Sequence, residues 1–248
     1  MKPPLRVPAN GLAPGPFELD AETSRYVGKV HRIRVGDDVL LFDPESGREA
    51  RGTVTNVRAD SVLLDVGELS DGQSLALPLT LLQALGKGDK PEQGIRDATV
   101  LGACRVVLLQ TERTIVRPGK DDRADRYRKV AVEAARQSGR SDLPRITGPL
   151  DFSTALHAEQ SKTKLVCAWH PSARPILSAL AEWDGLETLA ILIGPEGGLS
   201  ASELDAALQI GFAAVSLGPL VLRTETAATV AMGIVAAHAE LLRSADRR

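Results

Sequence analysis

Continuously apolar segments alternate with amphipathic segments from residue 77 onward, and this alternation restricts the folds open to the chain. The segment 77–85, LPLTLLQAL, is almost entirely hydrophobic, which is typical of a strand buried on both faces. Segments 91–102 and 122–138 have the residue spacing of helices. Further buried strands are predicted at 105–110, 164–169, 189–194 and 214–218. The pattern predicts βαβ crossovers and therefore a parallel α/β sheet.

Residues 1–72 have a different pattern, made of short segments rich in β-branched and aliphatic residues. These segments, which turn signals separate, are 39–44, 52–57 and 61–66. Strands so short and closely spaced favour a small antiparallel barrel. The polar segment 68–74, ELSDGQS, follows them. We therefore predict two domains, residues 1–72 and 73–248.

The composition excludes several classes of protein. Hydrophobic residues make up 43% of the chain and charged residues 25%, which is typical of a globular protein rather than a disordered one. No apolar run reaches the roughly eighteen residues of a membrane span, and the first residues lack the apolar core of a secretory signal. The two cysteines, Cys104 and Cys167, are too few for a disulfide framework or a zinc site. We therefore expect a cytoplasmic protein that binds neither membrane nor metal.

Positive charge is concentrated in the middle of the chain. The formal net charge is −2, yet residues 86–150 hold 14 basic and 9 acidic side chains. Such a local excess indicates a surface for a polyanion. The alternative is a solvated helix face that has no partner.

A glycine-rich turn follows the strand predicted at 189–194. The stretch GPEGGLS contains Gly194, Gly197 and Gly198, and an S-x-x-E capping box at Ser200 begins the next helix. Glycines let the backbone approach a ligand closely, and ligands of open α/β sheets bind at the carboxyl ends of strands. The turn matches neither the Walker A loop nor G-x-G-x-x-G. On its own, this turn is either a ligand site or a purely structural βα connection.

A second strand–loop–helix junction lies within 216–242. Arg223, Thr224, Glu225 and Thr226 stand at the start of its helix. This arrangement combines a cation, a carboxylate and the free backbone N–H groups of a helix N-terminus. Taken alone, the junction is either a site or an ordinary helix start that carries an ion pair.

Together, GPEGGLS and LGPLVLRTETA resemble the signature of the SPOUT class of S-adenosylmethionine-dependent RNA methyltransferases. More closely, they resemble the family of 16S ribosomal RNA (uracil-N3)-methyltransferases. Segments 29–43, 83–95 and 126–144 are similar to that family's PUA-like barrel, to the segment after its first SPOUT strand, and to its basic helix. The resemblance implies a PUA-like β-barrel that binds RNA at 1–72. It also implies a SPOUT domain at 73–248 whose C-terminal part forms a trefoil knot.

The resemblance further implies that S-adenosylmethionine lies among three loops of the knot. The implied cofactor-binding residues are Ala168, Trp169, His170, Ile193, Gly194, Pro195, Glu196, Gly197, Gly198, Leu217, Gly218, Leu222, Arg223, Thr224, Thr226 and Ala227. A valine at Gly197 is expected to abolish cofactor binding, because its side chain would fill the space where backbone meets ligand.

Methylation at uracil N3 makes a definite chemical demand, because N3 carries a proton in the neutral base. A carboxylate could accept this proton and a cation could stabilise the developing charge on O2 and O4. Glu225 and Arg223 are the candidates for these two catalytic roles. The target base must also leave its stack to expose N3.

The same resemblance favours RNA phosphate contacts for the basic segment 113–145. The RNA-binding candidates are Arg32, Arg113, Arg126 and Arg140. The implied partner is 16S ribosomal RNA or the small ribosomal subunit. The last helix, 226–242, is apolar on nearly all sides, which fits either burial within one subunit or a homodimer. The resemblance favours the homodimer, in which Ala231→Arg would disrupt assembly.

Two other functions stay open at this point. One is ribose 2′-O-methylation by an enzyme of the same class, although the chain has no N-x-G-x-x-x-R motif. The other is an RNA-binding assembly protein that keeps the fold without the activity. The chain departs from the family's pattern at Asp97 and Val100, in the helix at 97–102, and at Leu220, where the family commonly has an arginine. The altered helix is the reason for the second alternative.

Overall fold

The computed structural model describes residues 4–74, 77–114 and 123–246, and the chain divides into two compact units. The first unit contains residues 1–74 and 132–143, and the second contains residues 75–131 and 144–248. Segment 132–143, which the sequence analysis assigned to the C-terminal domain, therefore groups with the N-terminal unit. Its Ser141 N–H donates to the carbonyl of Gln73 at 2.9 Å, and the Arg6 guanidinium donates to the Ser141 hydroxyl at 3.0 Å.

The first unit is built on one twisted sheet. Its elements are β1 (Leu5–Pro8), β2 (Gly15–Glu18), α1 (Ala21–Lys29), β3 (Asp38–Phe42), β4 (Arg48–Val57), β5 (Val62–Val66) and β6 (Ser70–Asp71). The strand order is β1-β3-β4-β5-β2, and β6 pairs with β4. All pairs are antiparallel except the parallel pair of β1 with β3. Alternate residues of β4, such as Ala50 and Val54, are buried, which gives the sheet one apolar face.

The second unit alternates strands with helices, as the sequence predicts. Its elements are β7 (Leu77–Ala84), α2 (Lys90–Val100), β8 (Ala103–Gln110), α3 (Arg123–Ser138), β9 (Arg145–Asp151), α4 (Phe152–Ala158), β10 (Thr163–Cys167), β11 (Arg174–Pro175), α5 (Ile176–Leu180), β12 (Leu189–Ile193), α6 (Ala201–Gln209), β13 (Ala213–Ser216) and α7 (Thr224–Asp246). The boundary between the units falls within α3, whose C-terminal part belongs to the first unit.

Seven strands form a sheet in the order β11-β13-β10-β12-β7-β8-β9, and every pair is parallel. The predicted α/β class and parallel sheet are confirmed. All five residues of β12 are buried, as expected of a strand that is covered on both faces. Ile193 pairs with Cys167 of β10, and Cys167 pairs with Val215 of β13. The loops that follow these three strands therefore leave the sheet at one edge.

The last helix, α7, buries one face within its own unit. Ala228, Ala231, Val235 and Ala239 recur at helical spacing and are almost completely inaccessible. Ala231→Arg would therefore disrupt the interior of a single chain, so it does not test assembly, and the homodimer stays a prediction. On a neighbouring face, the Thr229 hydroxyl donates to Asp97 of α2 at 2.5 Å. Among the described residues, no helix is both long and apolar enough to cross a membrane.

Candidate active site at the carboxyl edge of the parallel sheet

A cavity of about 860 Å³ lies at the edge where β10, β12 and β13 end. Its wall is formed by the three loops that follow these strands, together with Lys90 at the start of α2. Of the predicted site residues, the following line the cavity: Ala168, Trp169, His170, Ile193, Gly194, Pro195, Glu196, Gly198, Leu217, Gly218, Leu222, Arg223, Thr224, Glu225 and Ala227. The wall does not include Gly197 or Thr226. Asp97 and Val100, which depart from the family's pattern, also lie outside it.

The loop between β12 and α6, residues 194–200, is the first junction, and the protein itself holds it in shape. The N–H of Gly198 donates to the carbonyl of Pro195 at 2.8 Å, which closes the turn. The Ser200 hydroxyl accepts from Glu203 N at 3.3 Å while the Glu203 carboxylate accepts from Ser200 N at 2.9 Å. This reciprocal pair is the predicted capping box, and it fixes where α6 begins.

The glycines of the first junction differ in the space that surrounds them. A Cβ on Gly194 would stand 3.1 Å from the backbone nitrogen of Leu199, so a side chain at this position would force the Leu199 backbone to shift by a few tenths of an ångström. Gly198 has a φ of +69°, and a Cβ there would meet only open space.

Gly197 does not belong to the wall of the cavity. A Cβ on it would lie 3.4 Å from Cδ of Arg113, so the side chain of a valine there would contact this arginine. The effect of Gly197→Val on cofactor binding stays a prediction. Arg113 also donates from Nη1 to the carbonyl of Gly197 at 2.7 Å. This arginine, which was predicted to contact RNA, therefore stabilises the glycine turn through a hydrogen bond.

The loop between β13 and α7, residues 217–223, is the second junction, and it is far more exposed. Leu220 and Val221 are 77% and 79% exposed, an unusual state for apolar side chains. Gly218 has a φ of +138°, and a Cβ on it would point into open space. Arg223 is also exposed, and its carbonyl accepts from the N–H of Ala227 at 2.8 Å in the first turn of α7.

Three charged side chains meet in the wall of the cavity: Lys90, Glu196 and Glu225. The Lys90 ammonium lies 2.8 Å from Oε1 of Glu196 and 3.2 Å from Oε2 of Glu225. The carboxylate of Glu196 also accepts from the backbone N–H of Lys87 at 3.3 Å. Glu225 Oε2 is buried, and within the described chain it has no hydrogen bond of good geometry in addition to this ion pair.

The electrostatics of this cluster keep all three groups charged. A hydrogen bond from its own backbone N–H and the Lys90 ammonium lower the pKa of Glu225, although burial opposes them. The two carboxylates, Glu196 first, raise the pKa of Lys90. Sequence reasoning missed Lys90, because it lies more than a hundred residues from its partners. The available signal was its place just after β7, the strand that pairs with β12.

The loop after β10 supplies the third side of the cavity. Trp169 is largely exposed, while His170 Nδ1 accepts from the backbone N–H of Ser172 at 3.2 Å. Burial raises the pKa of the Cys167 thiol to about 12, so it stays protonated and unreactive at neutral pH. No group of three metal-ligating side chains occurs in the part of the chain that the structure describes.

The predicted RNA-binding arginines outside the cavity differ in their surroundings. Arg32 is exposed, and Arg126 is 65% exposed while pairing with Glu92 at 2.8 Å. Arg140 is only 1% exposed, and its guanidinium donates to Asp142 at 2.8 Å. The prediction for Arg140 is therefore wrong, because a buried and paired guanidinium cannot reach a phosphate. Two members of the basic segment, Arg117 and Lys120, lie outside the described residues.

Known proteins are similar to this chain in both sequence and fold. Residues 73–236 match the RNA methyltransferase domain, and residues 19–67 match the RNA methyltransferase PUA domain. The ribosomal RNA small subunit methyltransferase E of Bacillus subtilis is 31% identical over 241 residues, which are 92% of this chain and 92% of that protein.

Two solved structures cover nearly the whole chain. A methyltransferase of Legionella pneumophila, in complex with S-adenosylmethionine, is 27% identical with a TM-score of 0.87 and covers 96% of this chain and 98% of that chain. The ribosomal RNA small subunit methyltransferase E of Neisseria gonorrhoeae, bound to S-adenosylmethionine, is 27% identical with a TM-score of 0.83. The match covers 95% of this chain and 97% of that chain.

Proposed function

Because this chain belongs to the family of RNA methyltransferases that includes the ribosomal RNA small subunit methyltransferases E, we propose that it methylates N3 of a uridine in 16S ribosomal RNA, with S-adenosylmethionine as the donor. One observation carries the proposal. The cavity at the carboxyl ends of β10, β12 and β13 combines open glycine backbone and apolar side chains with a partly buried, ionised carboxylate. A cofactor with an adenine ring and a reacting centre needs both kinds of surface.

The wall of the cavity fits S-adenosylmethionine. Gly198 and Gly218 leave space that a Cβ would fill, so backbone groups there are free to approach a ligand. Ile193, Leu217 and Leu222 supply apolar surface for a flat ring. When bound, S-adenosylmethionine supplies an electrophilic methyl group on a sulfonium. We infer that the backbone of the two junctions and these three side chains hold it.

Glu225 is the group that we propose as the proton acceptor. Its carboxylate is ionised at neutral pH, because its pKa lies below the ordinary value, and among the described residues Oε2 has no hydrogen bond of good geometry beyond its ion pair with Lys90. As N3 forms its bond to the methyl carbon, the N3–H bond breaks and the proton passes to this carboxylate. The sulfonium–methyl bond breaks in the same transfer, and its electron pair stays on sulfur. Arg223 is exposed at the same junction, where it can stabilise the negative charge on O2 or O4 of the base.

We assign RNA binding to exposed arginines in both units. Arg32 lies in the PUA-like unit and Arg126 in the second unit, and each presents its guanidinium to solvent. A guanidinium binds phosphate oxygens in a fork, and such contacts hold an RNA without reading its sequence. The substrate is 16S ribosomal RNA, free or within the small subunit, so we place the activity in the cytoplasm.

We also propose a homodimer and a knotted C-terminal region, both of which the resemblance implies. Val230 and Ile234 lie one turn apart on α7 and are partly exposed, so they offer an apolar surface to a second copy. Sedimentation of the wild type and of Ile234→Asp tests the dimer. We expect the wild type to sediment as a dimer and the variant as a folded monomer.

Nucleoside analysis tests the reaction. The purified protein is incubated with 16S ribosomal RNA or small subunits and S-adenosylmethionine whose methyl group carries deuterium, and the digested RNA is analysed by mass spectrometry. We expect labelled N3-methyluridine. Labelled 2′-O-methylnucleoside would instead identify a ribose methyltransferase, and RNA binding without any labelled product would identify an assembly protein.

A further inference from the structure

Lys90 connects the two junctions that wall the cavity. Its ammonium contacts Glu196, which belongs to the glycine turn after β12, and Glu225, which belongs to the first turn of α7. Its own backbone belongs to a third element, the start of α2. One cation thus joins three segments that are distant in the sequence, and all three side chains line the cavity.

The Lys90 side chain is confined by its surroundings. A Cβ on Gly86 would lie 2.9 Å from Cδ of Lys90, so the lysine stem packs directly on the backbone of Gly86. Glu196 is fixed in turn by the backbone N–H of Lys87, which donates to the same Oε1 that faces the ammonium. The Glu225 carboxylate is only 13% exposed, so its ion pair with Lys90 is weakly screened by solvent.

Helix stability does not account for a lysine at this position. Lys90 is the first residue of α2, where the helix dipole favours acidic side chains and opposes a cation. The two carboxylates offset this unfavourable placement. They would also repel each other without the ammonium, because both lie within ion-pair distance of the same nitrogen. The geometry therefore favours a function in the cavity over one in the helix.

We propose that Lys90 is a positioning residue for the methyl transfer: it ties the glycine turn to the start of α7 and holds the Glu225 carboxylate where it accepts the N3 proton. The inference rests on the proposed function for its chemical step. Its structural part, the tie between the two junctions, concerns the shape of the cavity and is measurable without RNA.

The charges of the cluster give two substitutions opposite effects on the pH dependence. Loss of the ammonium in Lys90→Met raises the pKa of Glu225, because an opposite charge is removed and a like charge stays. Loss of the carboxylate in Glu196→Gln lowers the pKa of Glu225, because a like charge is removed while Lys90 and Arg223, the two cations that lower this pKa, both stay. The rate requires ionised Glu225, so its acidic limb moves to higher pH in the first variant and to lower pH in the second.

The experiment compares these variants with Lys90→Arg, which keeps the charge, and with Lys162→Met as a matched control. Lys162 pairs with Glu187 at 2.5 Å in the same unit but outside the cavity. For each variant, kcat is measured against pH with saturating RNA and cofactor. The affinity for S-adenosylmethionine is measured by calorimetry in the absence of RNA, and a melting curve establishes that the variant is folded.

We expect Lys90→Met to bind S-adenosylmethionine about tenfold more weakly and to shift the acidic limb upward by about one pH unit. Glu196→Gln shifts the limb downward, Lys90→Arg restores most of the wild-type affinity, and Lys162→Met changes neither quantity. An unmoved limb or an unchanged cofactor affinity in folded Lys90→Met overturns the proposal. If Lys90→Met does not fold, the direction of the shift in Glu196→Gln decides in its place.

Failure of the proposed function is distinguishable from failure of this inference. A wild-type protein that produces no N3-methyluridine overturns the function, whatever Lys90 does. In that case the calorimetric comparison of Lys90→Met with Lys162→Met still decides whether Lys90 shapes the cavity. Equal affinities in these two variants would overturn the tie between the junctions.

Discussion

The two junctions that wall the cavity differ in how much of their shape the protein itself provides. The first junction, 194–200, is held by its own turn hydrogen bond, by the capping box and by Arg113. The second junction, 217–223, exposes Leu220 and Val221, and the described residues offer no hydrogen-bond partner to segment 217–222.

This difference indicates that the two junctions differ in how rigid they are before a ligand binds. A segment with few internal hydrogen bonds and exposed apolar side chains unfolds locally at low free-energy cost. A turn that several hydrogen bonds hold keeps its conformation. We therefore expect the first junction to be a preformed half of the cavity and the second to become ordered when a ligand binds. Lys90 spans them, since it contacts Glu196 in the first junction and Glu225 in the first turn of α7, which directly follows the second.

Glu225→Gln is the substitution for which we expect the largest effect. The amide keeps the size of the side chain but cannot accept the N3 proton, so kcat falls by about 10²-fold or more. The affinity for S-adenosylmethionine should fall much less than kcat, because the amide loses only the ion pair with Lys90. Single-turnover methylation and calorimetry measure the two quantities, and Glu240→Gln, exposed on the same helix, is the matched control. A full rate in Glu225→Gln would remove Glu225 from the mechanism.

Alanine substitutions at Gly194 and Gly197 compare a glycine of the first junction that lines the cavity with one that does not. Gly194→Ala forces a Cβ against the Leu199 backbone, so we expect the affinity for S-adenosylmethionine to fall at least about tenfold, or about 1.4 kcal/mol. Gly197→Ala places its Cβ toward Arg113 and should bind the cofactor nearly as well as the wild type. Calorimetry on both variants checks the order, and a greater loss in Gly197→Ala would contradict the geometry of the turn.

Unfolding experiments compare the intrinsic stability of the two junctions. Ser200→Ala removes half of the capping box and should lower the free energy of unfolding by about 1 kcal/mol. Leu220→Ala truncates an exposed side chain and should change it by less than about 0.5 kcal/mol. Urea denaturation without ligand measures both. Equal losses would mean that the second junction is as firmly built as the first.

Substitutions of two arginines distinguish a residue that supports the first junction from a residue that binds RNA. Arg113→Ala releases the carbonyl of Gly197 and should weaken cofactor binding several-fold, by about the 1 kcal/mol of one hydrogen bond. Arg126→Ala should leave cofactor binding unchanged and lower the salt dependence of RNA binding by about one unit of slope. Calorimetry and RNA titrations over a range of salt concentrations test the pair. The reverse assignment would exchange the roles given to these residues.

The sequence predicts those features that local chemistry determines. The continuous apolar run of β12 predicts a buried strand, and Ser200 with Glu203 predicts the start of α6; both are confirmed. The short strands β1, β2 and β11 and the helix α1 are not predicted, because so few residues carry no clear periodicity.

The features that the sequence does not predict depend on contacts between distant segments. Lys90 meets its glutamates only because β7 pairs with β12, and strand order is not readable from one sequence. Gly197 and Gly198 look equivalent in GPEGG, yet Gly198 belongs to the wall of the cavity, while a Cβ on Gly197 would contact Arg113. Arg140 lies in a basic segment that is typical of an RNA contact. In the structure, however, its guanidinium is buried and pairs with Asp142, two residues later.

Hydrogen exchange of the two junctions, with and without S-adenosylmethionine, tests most directly whether this cavity is the cofactor site. In the free protein, we expect amides of 194–200 to be protected and amides of 217–223 to exchange rapidly. Added S-adenosylmethionine should slow exchange strongly in 217–223 and only slightly in 194–200. Unchanged exchange in 217–223 at saturating cofactor, or equal protection of both junctions in the free protein, would contradict the division between a preformed and a ligand-ordered half.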